Sequence, residues 1–232
     1  MNGLDRILRL FDRTLIALRD GGFTPGAIID IGVADGTAGL YDIWPNAPLC
    51  LIEPSAKAQP TLRRLVAEHP DARLFGVGAS NRTAVVQGAE HQDRPYASIG
   101  QFKSSWAPST IEVRPCDDII REAGLKGPFI YKLDTDTHDR EALEGSEWTL
   151  SQTALVIVEM NVFNQFRSMM TPDEIWRFLT DRGFALYDVA EYGGFAHNGV
   201  RKCMDFFFIR RSEPVFRWAF KNSAKTKRDR RP

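Results

Sequence analysis

The chain has 232 residues, a formal net charge of +0, 43% hydrophobic and 26% charged residues, so its length and composition fit one α/β domain with short additions. With balanced charge, and with no apolar run near the roughly 20 residues that span a bilayer, the sequence argues against a nucleic-acid partner and a transmembrane segment. Three cysteines cannot all pair, so we expect reduced thiols and a cytoplasmic protein.

The two ends of the chain are predicted to be additions to a central domain. Apolar residues at helical spacing over 4–20 predict a helix, and its interleaved acids favour packing on the domain over binding to a membrane surface. We therefore assign 1–25 to an N-terminal helix packed on the domain and 26–212 to the domain itself. Residues 213–232 predict a C-terminal helix and a disordered basic tail, for which weak peripheral contact with a membrane is an alternative.

The stretch Ile28-Ile-Asp30-Ile-Gly32-Val-Ala-Asp35-Gly36 predicts a buried strand that runs into a glycine turn. A helix over 37–44 and a second strand that ends at Glu53 follow. Strand, glycine turn, helix, strand and terminal acid form the half-unit that binds a nucleoside-bearing cofactor. A helix over 56–68 and a third strand over 73–77 come next. The small-residue turn Gly78-Ala79-Ser80 follows them, and we assign Gly78 and Ala79 to the cofactor site.

The second half of the chain alternates strands and helices again. Strands are predicted at 129–133, 154–158, 184–189 and 204–210, and helices at 139–150 and 172–181. This alternation predicts a Rossmann-like α/β fold, with a mostly parallel sheet, helices on both faces and the last two strands antiparallel at one edge. Residues 81–110 predict a hairpin and a mobile loop over the binding edge.

Three predicted strands end in an acid, namely Glu53, Asp134 and Glu159. Ligands of open parallel sheets bind at the carboxyl ends of the strands, so these acids should converge on one crevice.

The glycine turn lacks both phosphate-binding patterns, G-x-G-x-x-G and G-x-x-x-x-G-K-[ST]. It reads Asp30-x-Gly32-x-x-Asp35-Gly36 instead, and an acid at Asp30 repels a pyrophosphate but suits a cationic amino-acid end. S-adenosylmethionine carries an ammonium and a sulfonium group and no phosphate. Glu53 is placed to accept hydrogen bonds from ribose hydroxyls. We therefore predict S-adenosylmethionine as the cofactor, bound by these residues.

Several linked motifs resemble those of the FkbM-type methyltransferases. They are Asp30-Ile-Gly-Val-Ala-Asp-Gly36, Leu51-Ile-Glu53-Pro54, Cys116-Asp-Asp118 and Lys132-Leu-Asp134-Thr-Asp136. The resemblance implies the class I methyltransferase fold, a seven-stranded sheet of order 3-2-1-4-5-7-6. It also implies transfer of a methyl group from S-adenosylmethionine, usually to a hydroxyl oxygen, here of a sugar, a glycan or another small molecule. Thr137 and His138 depart from the family pattern, which has glycine and a small or apolar residue there.

Asp134 is the first candidate for contact with the acceptor or with the methyl end of the cofactor. His138 is the second, as a general base, because a near-neutral imidazole suits that role. Asp136 is predicted to orient His138 or to steer the acceptor. As alternatives, Asp134 and Asp136 cap the helix that begins near 139, or bind a divalent cation together with Glu159. No metal-specific spacing is present, so we predict no metal.

Two other functions compete with an O-methyltransferase. The first is a nicotinamide-dependent oxidoreductase on the same kind of fold, and the missing dinucleotide fingerprint and Asp30 count against it. The second is a non-catalytic module that binds the cofactor without turnover.

Overall fold

Strands and helices alternate along the part of the chain that the computed structural model describes, residues 10–100, 104–162, 169–190 and 202–216. In chain order the elements are α1 (Leu10–Asp20), β1 (Ala27–Ile31), α2 (Ala38–Ile43), β2 (Leu49–Ile52), α3 (Gln59–Glu68), β3 (Ala72–Phe75), β4 (Gly78–Ser80), β5 (Ala84–Glu90), β6 (Ala97–Ile99), β7 (Ala107–Pro115), α4 (Cys116–Ala123), β8 (Phe129–Leu133), α5 (Asp139–Glu144), α6 (Glu147–Ser151), β9 (Thr153–Asn161), α7 (Pro172–Asp181), β10 (Phe184–Ala190) and β11 (Cys203–Arg210). None of the helices within these ranges combines the length and the apolar composition needed to cross a membrane.

Seven strands form the main sheet in the order β10-β11-β9-β8-β1-β2-β3. When these seven strands are renumbered 1 to 7 in chain order, their order in the sheet is the predicted 3-2-1-4-5-7-6. β3, β2, β1, β8 and β9 are parallel to one another, and β11 is antiparallel to both β9 and β10. The predicted antiparallel pairing of the last two strands is confirmed. The carboxyl ends of β1, β2, β8 and β9 therefore share one edge of the sheet.

Helices cover both faces of this sheet, as predicted. Ile28 packs with side chains of α1, α2 and α3, whereas Ile29 packs with side chains of α4, α5 and α7. Adjacent residues of a strand point to opposite faces, so a strand buried on both sides is apolar at consecutive positions. That requirement explains the apolar runs of β1, β8 and β9, which charged residues interrupt only at Asp30, Lys132 and Glu159.

α1 is held against the same face of the sheet as α2. Its apolar stripe of Phe11, Leu15 and Leu18 is buried, and Thr14 Oγ1 donates a hydrogen bond of 2.5 Å to Asp188 Oδ2 on β10. The first part of the predicted N-terminal helix and the predicted basic tail lie outside the described residues. The division of the chain into three segments stays a prediction.

A second sheet, in the order β4-β7-β5-β6, lies between β3 and β8 in the sequence. The turn predicted at 78–80 was wrong, because Gly78–Ser80 is a strand. The hairpin predicted within 81–110 is confirmed by the antiparallel pair β5 and β6, and the start of β7 is a further strand that was not predicted. Gly78–Ser80 pairs in parallel with Val113–Pro115, a partner far away in the sequence. A small cluster of Ile99, Ile111 and Val113 supports this sheet, while Val85 remains 71% exposed. Polar residues dominate the segment because much of the sheet faces solvent.

The single helix predicted over 139–150 is two helices, α5 and α6. A Cβ atom at Gly145 would lie 1.7 Å from the carbonyl oxygen of Ser80, so the chain bends where β4 approaches it. Asp117 then caps the new helix, because its carboxylate accepts hydrogen bonds from the backbone N–H groups of Trp148 (2.9 Å) and Thr149 (2.8 Å).

Candidate active site

The glycine turn after β1 lies directly beside the end of β8. Gly32 has φ +77°, and a Cβ atom there would lie 1.8 Å from the carbonyl oxygen of Asp134. The backbone N–H of Asp134 donates a hydrogen bond of 2.9 Å to the carbonyl of Ile31. Two other residues of the turn also have positive φ angles, Ala34 at 52° and Gly36 at +110°. Close backbone contact, rather than flexibility, thus requires glycine at position 32.

Glu53 at the end of β2 has a buried carboxylate whose orientation is fixed by the backbone. Its Oε2 accepts a hydrogen bond from the N–H of Ala34 and its Oε1 accepts one from the N–H of Ser55, both of 2.8 Å. Burial raises its pKa to about 7, although these two hydrogen bonds oppose the rise. Each carboxylate oxygen keeps a further lone pair, so Glu53 can accept hydrogen bonds from two adjacent hydroxyl groups.

Asp30 was predicted to contact the cofactor, and the structure places its fully buried side chain beneath the turn instead. Its Oδ2 accepts a hydrogen bond of 2.5 Å from the Tyr41 hydroxyl of α2. Its Oδ1 lies 3.7 Å from the ammonium nitrogen of Lys132, its register partner on β8. Asp30 is not among the described residues that line the cavity.

The ammonium group of Lys132 lies near both Asp30 and Asp134, the acid at the end of β8. Its ammonium nitrogen lies 3.0 Å from Asp134 Oδ2, and its side chain is only 8% exposed. Burial alone lowers the pKa of Lys132, but Asp134 and Asp30 more than offset that effect, so the pKa is raised. The lysine is therefore protonated at neutral pH. Nearby Asp205 on β11 has its pKa raised to about 6, mainly by burial.

Asp134, Asp136 and Glu159 bring one carboxylate oxygen each within 4.8 Å of the other two. Burial, followed by the charges of Asp134 and Asp136, raises the pKa of Glu159 to about 8. Asp136 adopts φ 58°, an unusual conformation for a residue other than glycine and one that is often found at functional sites. Oxygen ligands suit a divalent cation, but Lys132 already supplies a positive charge to Asp134. The prediction of no metal stays a prediction.

Both ring nitrogens of His138 have partners. Nε2 lies 3.1 Å from Ser80 Oγ on β4, and Nδ1 lies 3.4 Å from Glu141 Oε2 on α5. Burial lowers the pKa of the imidazole, which favours its neutral form. Neighbouring Thr137 donates a hydrogen bond of 2.8 Å to the carbonyl of Ile99. The two residues that depart from the family pattern therefore connect the β8–α5 segment to the second sheet.

A cavity of about 960 Å³ connects these groups at the carboxyl edge of the main sheet. This volume is near the upper end of the ~300–1,000 Å³ typical of small-molecule sites, so it has room for more than one ligand. The predicted site residues that line it are Gly32, Asp35, Gly36, Glu53, Gly78, Ala79, Asp134, Asp136 and His138.

Several residues that line the cavity were not predicted as site residues from the sequence. Phe11 and Asp12 come from α1, and Asp205 comes from β11. Tyr96 directly precedes β6 and Trp106 directly precedes β7, and both rings contact His91 edge-on. Helical and strand periodicity shows where these elements lie in the sequence, but it does not show which of their residues reach the cavity.

The sheet order, the glycine turn after β1 and the acid at the end of β2 define the class I methyltransferase architecture. Within this class, the chain belongs to the family described as the methyltransferase FkbM domain, whose model matches residues 30–186. The match begins at Asp30 and includes the glycine turn, the second sheet, Asp134 after β8 and Glu159 of β9.

A curated relative is the 2-O-methyltransferase NoeI of Sinorhizobium fredii, which is 25% identical over 150 residues. That alignment covers 57% of this chain and 62% of the relative, so the chain matches less than two thirds of that protein's length.

Two solved structures share the fold. Methyltransferase FkbM from Methylobacillus flagellatus superposes with a TM-score of 0.54 at 18% identity, covering 78% of this chain and 43% of that one. N-methyltransferase NodS from Bradyrhizobium japonicum, in complex with S-adenosyl-L-homocysteine, superposes with a TM-score of 0.51 at 8% identity, covering 90% of each chain.

Proposed function

We propose that this protein binds S-adenosylmethionine in the cavity and transfers its methyl group to a hydroxyl oxygen of a sugar, a glycan or another small acceptor. The observation that carries the proposal is the fixed carboxylate of Glu53 beside the glycine turn, in the same cavity as Asp134. Membership of the FkbM family supports methyl transfer. The name of the 25% identical 2-O-methyltransferase supports oxygen as the acceptor atom.

The residues of the cavity fit the chemistry of this cofactor. Glu53 is available to the two ribose hydroxyls, and the small residues Gly78 and Ala79 leave room beside it for a flat base. Asp35 at the turn would repel a pyrophosphate, and the turn lacks the G-x-G-x-x-G pattern that binds one, which argues against a nicotinamide dinucleotide. When bound, S-adenosylmethionine supplies a methyl carbon that its sulfonium group has already activated.

The chain's own residues then have to hold the acceptor hydroxyl in line and accept its proton. We assign acceptor contact to Asp134, whose orientation Lys132 fixes, and steering of the acceptor to Asp136. His138 is the second candidate for the base. To accept a proton from the acceptor, its ring must release the contact with Ser80 or with Glu141.

The test is methyl transfer from deuterium-labelled S-adenosylmethionine to a panel of sugars, oligosaccharides and other hydroxyl compounds, with the methylated atom identified by NMR. For an acceptor found in this way, Asp134→Asn should lower kcat by about 10²–10⁴-fold because it removes a carboxylate from the reacting end. Asp173→Asn is the matched control, since Asp173 is exposed and pairs with Arg177 on the surface of α7. Equal kcat values for the two variants would contradict the assignment of Asp134.

The competing functions are separated by binding calorimetry with S-adenosylhomocysteine and with NAD. We expect heat of binding from the first compound and none from the second. NAD binding without S-adenosylhomocysteine binding would favour the oxidoreductase. S-adenosylhomocysteine binding without transfer to any acceptor, including extracts of glycans, would favour the non-catalytic module.

A further inference from the structure

α1 forms part of the cavity wall, although it precedes the region that the family model matches. Phe11 packs against Phe207 of β11 with ring centroids 5.4 Å apart, and Thr14 is bonded to Asp188 of β10. Leu15 and Leu18 are fully buried against the sheet. These contacts fix both the position and the rotation of the helix. This packing therefore directs the side chain of Asp12, the residue after Phe11, toward the cavity.

The Asp12 carboxylate lies against the backbone at the start of α2. A Cβ atom at Gly39 would lie 2.4 Å from Asp12 Oδ1, so glycine at this position makes room for the acid. Asp12 lines the cavity together with Gly36 and Thr37, at the glycine turn. Within the described ranges the Asp12 carboxylate has no hydrogen bond or ion pair.

We propose that Asp12 binds the ammonium group of the cofactor's amino-acid end. The proposal rests on the proposed cofactor, which carries an ammonium group that needs an anionic partner when it leaves water. Asp30, the acid first predicted for this role, is occupied by Tyr41 and Lys132 beneath the turn. Glu53 is bound by two backbone N–H groups and suits the ribose.

The other acids of the cavity are less suited to this role. Asp134 is paired with Lys132, and Asp136 and Glu159 lie with it in one cluster. Asp35 also lies at the turn, but it is exposed to solvent, which weakens any ion pair that it forms. Asp12 combines a position beside the start of α2, just after the turn, with partial burial and a carboxylate that has no partner among the described residues.

The experiment measures three ligands by calorimetry against the wild type, Asp12→Asn, Asp35→Asn and Asp20→Asn. S-adenosylhomocysteine has the complete amino-acid end, its deaminated analogue lacks only the ammonium group, and 5′-methylthioadenosine lacks the whole amino-acid end. Asp20 is a matched control because it is an exposed acid on the same helix, bonded to Arg19.

We expect Asp12→Asn to weaken S-adenosylhomocysteine binding by about 10–100-fold, the range for a charged hydrogen bond, and to leave 5′-methylthioadenosine binding unchanged. The deaminated analogue should bind the wild type and Asp12→Asn equally, and Asp20→Asn should behave like the wild type. Unchanged S-adenosylhomocysteine affinity in Asp12→Asn would overturn the inference. So would an equal loss for all three ligands, or a larger loss in Asp35→Asn. A wild type that binds none of the three ligands would refute the proposed cofactor itself and this inference with it.

Discussion

Replacing Lys132 by methionine tests the buried charge network beneath the glycine turn. Methionine has a similar length and no charge, so the change removes the cation and keeps most of the volume. It leaves Asp30 fully buried, with the Tyr41 hydroxyl on Oδ2 and no hydrogen bond to Oδ1. Removing one partner of a buried ion pair typically costs about 3–5 kcal/mol, because the other charge stays buried without compensation. We expect the free energy of unfolding of Lys132→Met to fall by about that amount.

The measurement is urea unfolding followed by tryptophan fluorescence, with the free energy taken from the linear dependence on urea. Arg177→Met on α7 is the control, because its ion pair with Asp173 is exposed and should contribute less than about 1 kcal/mol.

The double variant Asp30→Asn/Lys132→Met should recover part of the lost stability, since it removes the uncompensated charge as well. A loss below about 1 kcal/mol in Lys132→Met, or a double variant less stable than the single one, would refute the reasoning.

Two further predictions concern the turn and the acid beside it. Burial raises the pKa of Glu53 from 4.5 to about 7, and only the ionised carboxylate accepts hydrogen bonds from both ribose hydroxyls. The affinity for S-adenosylhomocysteine, measured by calorimetry, should therefore fall as the pH decreases from 8 to 6, and the pH dependence should be reduced in Glu53→Gln. The stability of the ligand-free protein changes in the opposite direction. Between pH 4.5 and about 7, Glu53 is protonated in the folded state and ionised in the unfolded state. The contribution of Glu53 to the free energy of unfolding therefore decreases as the pH rises through this range. Gly32→Ala should destabilise the protein by about 3 kcal/mol or more in urea unfolding, because its Cβ would lie 1.8 Å from a carbonyl oxygen. Gly100 has φ +81°, and no atom of the described residues lies within 4 Å of a Cβ placed there, so Gly100→Ala should cost only about 1 kcal/mol. Equal losses for the two glycines, or an affinity independent of pH, would contradict these explanations.

The main sheet and its acidic edge could be predicted from local patterns. A strand buried on both faces has to be an apolar run, so β1, β8 and β9 are visible in the sequence. Parallel strands place their carboxyl ends at one edge, so Glu53, Asp134 and Glu159 were predicted to meet there. They line one cavity. These conclusions need only the period of each element and the direction of its neighbours.

The second sheet could not be predicted in this way. Gly78–Ser80 is short, and it pairs with a strand more than thirty positions later in the sequence. Polar side chains on the exposed face of the second sheet also weaken the alternation of apolar and polar residues that marks a strand. The bend at Gly145 has the same origin, because it depends on how closely Ser80 approaches.

The amino-acid sequence by itself determined the strands of the main sheet, the glycine turn and the acids that end these strands, because each depends on residues close together in the chain. Only the tertiary structure decided which of the acids reach the cavity. Asp30 is buried because the register of β1 and β8 places Lys132 beside it, and Tyr41 covers its other oxygen. Asp12 reaches the cavity because the packing of α1 on β10 and β11 turns it there. Charge pairing and helix rotation depend on neighbours far away in the sequence, and periodicity carries no information about them.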